Sequence, residues 1–299
     1  MGTPDFAVAS LTKLLDAGFN VVSVITAPDK PAGRGMKLSE SAVKKFAVEN
    51  NIPVLQPEKL KNPDFLEQLR SLKAELQLVV AFRMLPQVVW QMPPMGTINL
   101  HASLLPQYRG AAPINWAIID GQKETGVTTF KLRQEIDTGD ILLQESFPIG
   151  DEETAGELHD RMKWIGADVL ARTVKGVFEG SIIEKPQLEV GSGMLKAAPK
   201  IDTETCRIQW DQPALSIFNR IRGLSPFPGA FTLFEGKTMK IFRSRREIVK
   251  TGKKPGFHET DSKTYLRFAC ADGWIYCDEI QMEGKKKMFV ADFLRGYRP

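Results

Sequence analysis

The chain has 299 residues, 42% of them hydrophobic, which exceeds one average domain and supplies ordinary packed cores. No apolar run approaches the roughly 20 residues that cross a bilayer, and Met1-Gly2-Thr3-Pro4-Asp5 lacks a secretory signal's basic and apolar segments, so a cytoplasmic location without membrane attachment is expected. Residues 201–299 hold 18 Lys and Arg against 12 Asp and Glu, the preceding residues 22 against 24, so the last third is the basic part and suits a polyanion such as nucleic acid.

Helix periodicity over Ser10 to Ala17 ends at Gly18, and Asn20 to Thr26 (NVVSVIT) reads as a buried strand of a parallel sheet. Helices near Ser41–Asn50, Asp64–Leu72 and Leu85–Gln91 then precede strands at Ile52–Leu55, Leu76–Phe82 and Thr97–His101. This alternation predicts an α/β domain with a doubly wound, mostly parallel sheet of Rossmann-like type. Such a domain ordinarily opens with a buried strand, whereas here the turn-like Gly2-Thr3-Pro4-Asp5 follows Met1 directly. Either the sheet lacks a strand or the chain is truncated there.

The segment from Ala27 to Leu38 is too long for a simple connection; Lys30, Arg34 and Lys37 give it a basic tip suited to phosphate or RNA contact. Apolar residues from Thr154 to Phe178 recur at helical spacing, and Gln187 to Ile201 has no period and reads as a connection. The expected organisation is a catalytic domain over 1–186, a linker over 187–200 and a second domain over 201–299. In the last, Thr205–Trp210 reads as a strand and Pro213–Ile221 as a helix. Alternating segments at Phe231–Glu235, Met239–Ser244, Thr264–Cys270 and Trp274–Met282 then predict a small antiparallel β-barrel, OB-like, charged by Arg243, Arg245, Arg246 and Lys285, Lys286 and Lys287. The cysteines Cys206, Cys270 and Cys277 have no metal-type spacing and are expected reduced and buried.

The candidate chemistry lies in INLHASLLPQYRGAAPINWA, from Ile98, and in IDTGDIL, from Ile136. Alternation with Ile98 and Leu100 turns Asn99 and His101 to one face of a strand, and Gly139 permits a turn that returns Asp137 toward them. No serine or cysteine has a nucleophile-elbow setting, and neither a metal cluster nor a G-x-G-x-x-G or P-loop fingerprint is present. One amide, one imidazole and one carboxylate suit acyl transfer to a nucleophile borne by the substrate. Asn99 and protonated His101 then hold the oxyanion, and Asp137 supports His101 and orders a water that takes the amine's proton.

Those two runs, with Gly2-Thr3-Pro4-Asp5-Phe6, Pro28-Asp29-Lys30-Pro31-Ala32-Gly33-Arg34-Gly35 and Glu124-Thr125-Gly126-Val127-Thr128, resemble the formyltransferase family that uses 10-formyltetrahydrofolate. The resemblance covers nearly the whole chain, weakly in the barrel. It implies that Asn99, His101 and Asp137 are catalytic, and that the folate cosubstrate is contacted by Ser103, Leu104, Leu105, Pro106 and the Val80–Pro86 loop with Phe82, Arg83, Met84 and Leu85. The Lys30–Leu38 loop and basic barrel imply, among family members, those that formylate the α-amino group of methionine on initiator tRNA. Arg34 would then enter at the acceptor end, with Lys30, Lys37, Arg243, Arg245, Lys285, Lys286 and Lys287 along the RNA. Formyl transfer to a small amine such as a nucleotide sugar, or RNA binding without catalysis, are the alternatives, and a metal-free monomer is expected. Two departures from the family stand out: its first strand normally precedes the Gly-Thr-Pro turn, which implies an upstream in-frame codon supplying about five or six strand residues, and Phe82-Arg83 replaces the Tyr-Gly of many relatives on the pterin side.

Overall fold

The computed structural model describes residues 1–32, 37–187 and 195–297, with the side chains of residues 32 and 37 left out. In chain order the elements are α1 (Asp5–Asp16), β1 (Val24–Ile25), β2 (Lys30–Ala32), β3 (Lys37–Ser39), α2 (Ala42–Glu49), β4 (Val54–Leu55), α3 (Pro63–Ser71), β5 (Gln77–Val80), α4 (Gln87–Trp90) and β6 (Thr97–His101). They continue as β7 (Arg109–Gly110), α5 (Pro113–Ile119), β8 (Glu124–Lys131), β9 (Ile141–Pro148) and α6 (Ala155–Phe178). The remainder is β10 (Ala197–Ala198), α7 (Thr203–Cys206), α8 (Ala214–Gly223), β11 (Ala230–Phe234), β12 (Lys237–Ile248), β13 (His258–Thr260), β14 (Leu266–Ala269), β15 (Gly273–Met282), β16 (Met288–Phe289) and α9 (Val290–Arg295). Contacts group the chain into two units: Met1–Arg109, Gly126–Phe147 and His159–Lys196 form the first, and Gly110–Thr125, Pro148–Leu158 and Ala197–Pro299 the second.

In the first unit, local chemistry sets the helix starts. Ser41 Oγ accepts from Lys44 N at 3.0 Å to cap α2, and Asn62 Oδ1 accepts from Asp64 N at 2.8 Å ahead of Pro63 to cap α3. Strand β5 runs parallel to β6, which pairs antiparallel with β8. Ile98 and Leu100 are buried, and Leu100 lies against Gly166 of α6, where an added Cβ would stand 3.0 Å from Leu100 Cδ2. The α6 face is thus the apolar side of β6, and Asn99 and His101 alternate to the other.

The strand expected over Asn20–Thr26 is shortened to Val24–Ile25, which pairs only with β4. Between β1 and β5 lies an apolar slot of about 360 Å³, walled by Val22, Val24 and Ile25 on one side and Leu76, Leu78 and Val80 on the other. Met1 and Gly2 occupy its end: Gly2 N donates to Ile25 O at 3.0 Å, Val80 N to Met1 O at 2.9 Å and Met1 N to Leu78 O at 2.6 Å. Burial lowers the Met1 amino group from 8.0 to about 5. The unfolded chain therefore holds a proton between those values that the folded chain has released, so stability rises with pH across that window. The melting temperature of this 299-residue chain is expected to rise from pH 5 to pH 8. Fusing about five apolar, strand-forming residues ahead of Met1 should abolish that dependence and raise the melting temperature; an unchanged melting curve would show that the slot does not accept a strand.

In the second unit, α7 stands where Thr205–Trp210 reads as a strand. Asp202 Oδ1 accepts from Thr205 N at 2.8 Å, and that N-cap overrides the segment's β-type pattern; only Arg207 retains a bridge, to Phe231. Thr154 and Glu157 form a capping box at the start of α6, with Glu157 Oε2 accepting from Thr154 N at 2.9 Å. The antiparallel sheet has the order β11-β12-β15-β14-β13, with β16 on β15, and register shifts around Arg243 bend β12. Ile217 and Ile221 of α8 pack on this sheet with Phe234, Met239, Phe268 and Ile275. Cys206, Cys270 and Cys277 are free and buried in this unit. Helix α5 packs on α8, and Asn115 Nδ2 donates to Gly223 O at 2.8 Å.

Candidate active site in the first unit

The C-terminal ends of parallel strands are where α/β sheets hold their ligands, and β6 ends on His101 beside the loop that follows β5. His101 is 6% exposed. Its Nε2 lies 2.9 Å from the carbonyl of Tyr108, and because a carbonyl only accepts, Nε2 carries the hydrogen. Nδ1 faces Asp137 Oδ2 at 3.8 Å, an ion-pair distance and too long for a hydrogen bond. Proton exchange is therefore confined to Nδ1. The half-buried amide of Asn99, two residues back on the same strand face, has no hydrogen-bond partner among the described residues and is free to donate.

A fixed loop keeps the Tyr108 carbonyl in position. Thr128 Oγ1 on β8 donates to Ser103 O at 2.7 Å and accepts from Leu105 N at 3.1 Å and from Gln144 Nε2 at 2.9 Å. Gln144 Nε2 also reaches Leu105 O at 2.9 Å, and Ser103 Oγ donates to Gln107 O at 2.6 Å. Tyr108 and Asp137 themselves adopt left-handed backbone, with φ of 58° and 55°, so the strained residues flank the imidazole on both sides. The Asp137 turn was expected to depend on conformational freedom at Gly139. Gly139 is needed for another reason: a Cβ there would stand 1.6 Å from Lys131 O.

Gln187, which the sequence reading treated only as the start of a connection, is the residue that anchors this turn. Its Nε2 donates to Asp137 O at 2.9 Å and Gly139 O at 2.8 Å, and its Oε1 accepts from Arg109 Nε at 3.1 Å and Nη2 at 2.6 Å. Every donor and acceptor of the amide is used. No local pattern announces such a residue; only the fold brings it to the turn. Gln187→Leu removes all four bonds and is expected to lower turnover by about 10- to 100-fold through displacement of Asp137, with little change in KM for either substrate. A parent-like turnover number would remove Gln187 from the site.

Of the residues expected to touch folate, Ser103 and Leu105 are buried at 0% and 3% exposure, whereas Met84 is 73% exposed. Leu104 packs on Gly126, Phe82 and Leu85 join the apolar cluster around Val79 and Val89, and Pro106 follows a cis peptide bond. Arg83 Nη1 donates to Glu58 O at 2.7 Å and Nη2 donates to Pro57 O, tying the loop after β5 to the loop after β4. Arg83, Met84 and Leu85 also line a groove of about 900 Å³ with Lys59 and Lys61.

The basic residues expected on RNA fare differently. Lys30 is exposed on β2, which forms a hairpin with β3 where a loop was expected; Lys37 begins β3, and Arg34 lies outside the described residues. The base of the hairpin is fastened by Asp29, whose carboxyl the Lys44 ammonium and Gln56 amide hold below its ordinary value. In the second unit Arg243 pairs with Glu157, Arg245 with Asp278 at 3.0 Å and Lys287 with Glu279 at 2.9 Å. Lys285 and Lys286 are exposed and have no ion pair among the described residues.

The first unit brings an amide and an imidazole to one strand end with a carboxylate facing that imidazole, and the chain belongs to the formyl transferase family. Residues 1–174 match the formyl transferase domain, and residues 200–298 match the formyl transferase C-terminal domain. The chain is 50% identical over 303 residues to a protein from Bacteroides fragilis named methionyl-tRNA formyltransferase, covering 99% of this chain and 94% of the relative. A protein of the same name from Parabacteroides distasonis is 51% identical over 306 residues, covering 100% and 94%. Among solved structures, the sugar 3N-formyl transferase WlaRD aligns with a TM-score of 0.69 at 22% identity, over 95% of this chain and 97% of that one. HypX from Aquifex aeolicus, in complex with tetrahydrofolic acid, aligns at 0.61 and 21% identity, over 83% and 43%. These two share the fold.

Proposed function

We propose that the chain transfers the formyl group of 10-formyltetrahydrofolate to the α-amino group of methionyl initiator tRNA. The observation that carries the acceptor is near-full-length identity of about one half to relatives named for that reaction. In the step itself the neutral amine attacks the formyl carbon, a C–N bond forms, and the carbonyl oxygen becomes an oxyanion. Collapse breaks the bond to N10 of the folate, while one proton leaves the attacking amine and one reaches N10. Asn99 donates to the oxyanion, and His101, with Asp137 beside its Nδ1, handles the proton. Folate binds along Phe82 to Leu85 and Ser103 to Pro106. The RNA runs along the Lys30–Lys37 hairpin and the basic second module, whose curled sheet is read as an OB-like barrel.

In this reading residues 1–186 form the catalytic domain, 187–200 the linker and 201–299 the RNA-binding module of a cytoplasmic monomer. A formylation assay with charged initiator tRNA beside a panel of small amines, nucleotide sugars included, tests the acceptor. Formylation of the small amines with none of the tRNA would overturn it. Arg34→Ala is expected to raise KM for tRNA about tenfold, the size of one lost phosphate contact or more, and to leave KM for folate unchanged. Equal loss on both substrates would contradict the role given to the hairpin.

A further inference from the structure

The basic residues of the second unit differ in how directly carboxylates pair them. Arg243 and Arg245 on β12 and Lys287 are compensated by carboxylates. Three further arginines meet at one cavity of about 490 Å³ beside α8. Arg222, only 5% exposed, donates through Nε to Asn219 Oδ1 at 2.9 Å and through Nη1 to the carbonyls of Gly150 and Glu153 at 3.1 and 3.0 Å. Arg220 Nη1 donates to Thr205 O at 2.6 Å. The Arg246 guanidinium lies 4.6 Å from the Phe218 ring centroid. Every one of these partners is neutral, and none of the three arginines forms an ion pair among the described residues. Lys123 also lines the cavity, paired with Asp151 at 2.7 Å, and Asp120 completes its charged lining. Four cations thus face two carboxylates.

The Asp151 and Glu153 carboxylates bear on Arg222, and Asp151 on Arg246, yet a buried guanidinium held this way remains costly beside an apolar side chain that would fill the same space. The direct acceptors that hold the planar forks are neutral, and the cations outnumber the nearby carboxylates, which is an arrangement that receives a phosphate. We propose that this cavity, framed by Arg220, Arg222 and Arg246, binds a backbone phosphate of the RNA acceptor. The inference rests on the reading of RNA as the acceptor and supplies that reading with a defined anchoring point.

The test uses the full chain with Arg246→Gln and Arg220→Gln, both at side chains less buried than Arg222, and Arg295→Gln as a control at an exposed, paired residue of the same unit. Affinity for charged initiator tRNA is measured across a salt series, with melting curves to confirm folding. Each cavity variant is expected to bind about three- to tenfold more weakly, with the salt slope reduced by about 1; the control should match the parent. Parent-like affinity and slope in both cavity variants would overturn the proposal, whereas a parent chain that binds no tRNA at all would overturn the acceptor reading beneath it. Inorganic phosphate is the second probe. Phosphate binding that Arg246→Gln abolishes while RNA affinity stays at the parent value would assign the cavity to a free anion and overturn the RNA assignment.

Discussion

Replacing His101 by alanine is expected to lower turnover by about 10²- to 10⁴-fold, the range associated with losing an acid–base group or an oxyanion donor. The imidazole sits between two fixed neighbours, the Tyr108 carbonyl at 2.9 Å and the Asp137 carboxylate at 3.8 Å. The substitution also removes the hydrogen bond to the buried Tyr108 carbonyl, so some stability loss accompanies it, about 1 kcal/mol. Turnover at saturating substrate separates the two effects, because a destabilised but competent site loses active fraction and regains it on cooling. A folded His101→Ala protein with near-normal turnover would take the residue out of the mechanism.

Gly139→Ala is expected to be nearly as damaging without touching a reacting group. A Cβ at that position would stand 1.6 Å from Lys131 O and 2.8 Å from Lys131 C, and β8 cannot recede because its backbone is paired with β6. The turn must lift instead. That breaks the bond from Lys131 N to Asp140 O and the two bonds from Gln187, and it carries the Asp137 carboxylate away from the imidazole. A stability loss of about 2–4 kcal/mol is expected from overpacking against backbone. Turnover should fall to within about tenfold of the Asp137→Asn value, since both changes remove the same carboxylate from Nδ1. Parent-like values in a denaturant titration and in turnover would show that the turn can relax, and that Asp137 is not held by it.

Much of this was legible in the chain. The alternation of Ile98 and Leu100 with Asn99 and His101 predicts the face that carries the polar pair, because a strand has only two faces and the apolar one must be covered. Asn62 with Pro63 and the apolar repeat of α6 fix their helices by equally local means. What escaped was set by distant partners. Asn20–Thr26 has the composition of a central strand, yet only Val24 and Ile25 pair, since a strand extends as far as its neighbours do. Gln187 carries no signal because its four bonds go to residues 48 to 78 positions away. Composition counted the charge of the last third correctly but could not see that Glu157, Asp278 and Glu279 neutralise Arg243, Arg245 and Lys287.

The three buried thiols have a practical consequence. Thiols react as thiolates, and burial pushes Cys206, Cys270 and Cys277 away from that form. All the sulfhydryls of the chain lie in the second unit and none in the first. An alkylating dye added to the native protein therefore reports on the opening of one half of the molecule while the half that holds His101 stays silent. The rate of labelling becomes a stopwatch for that unit alone, and its slowing on addition of RNA would register occupancy without any label on the nucleic acid.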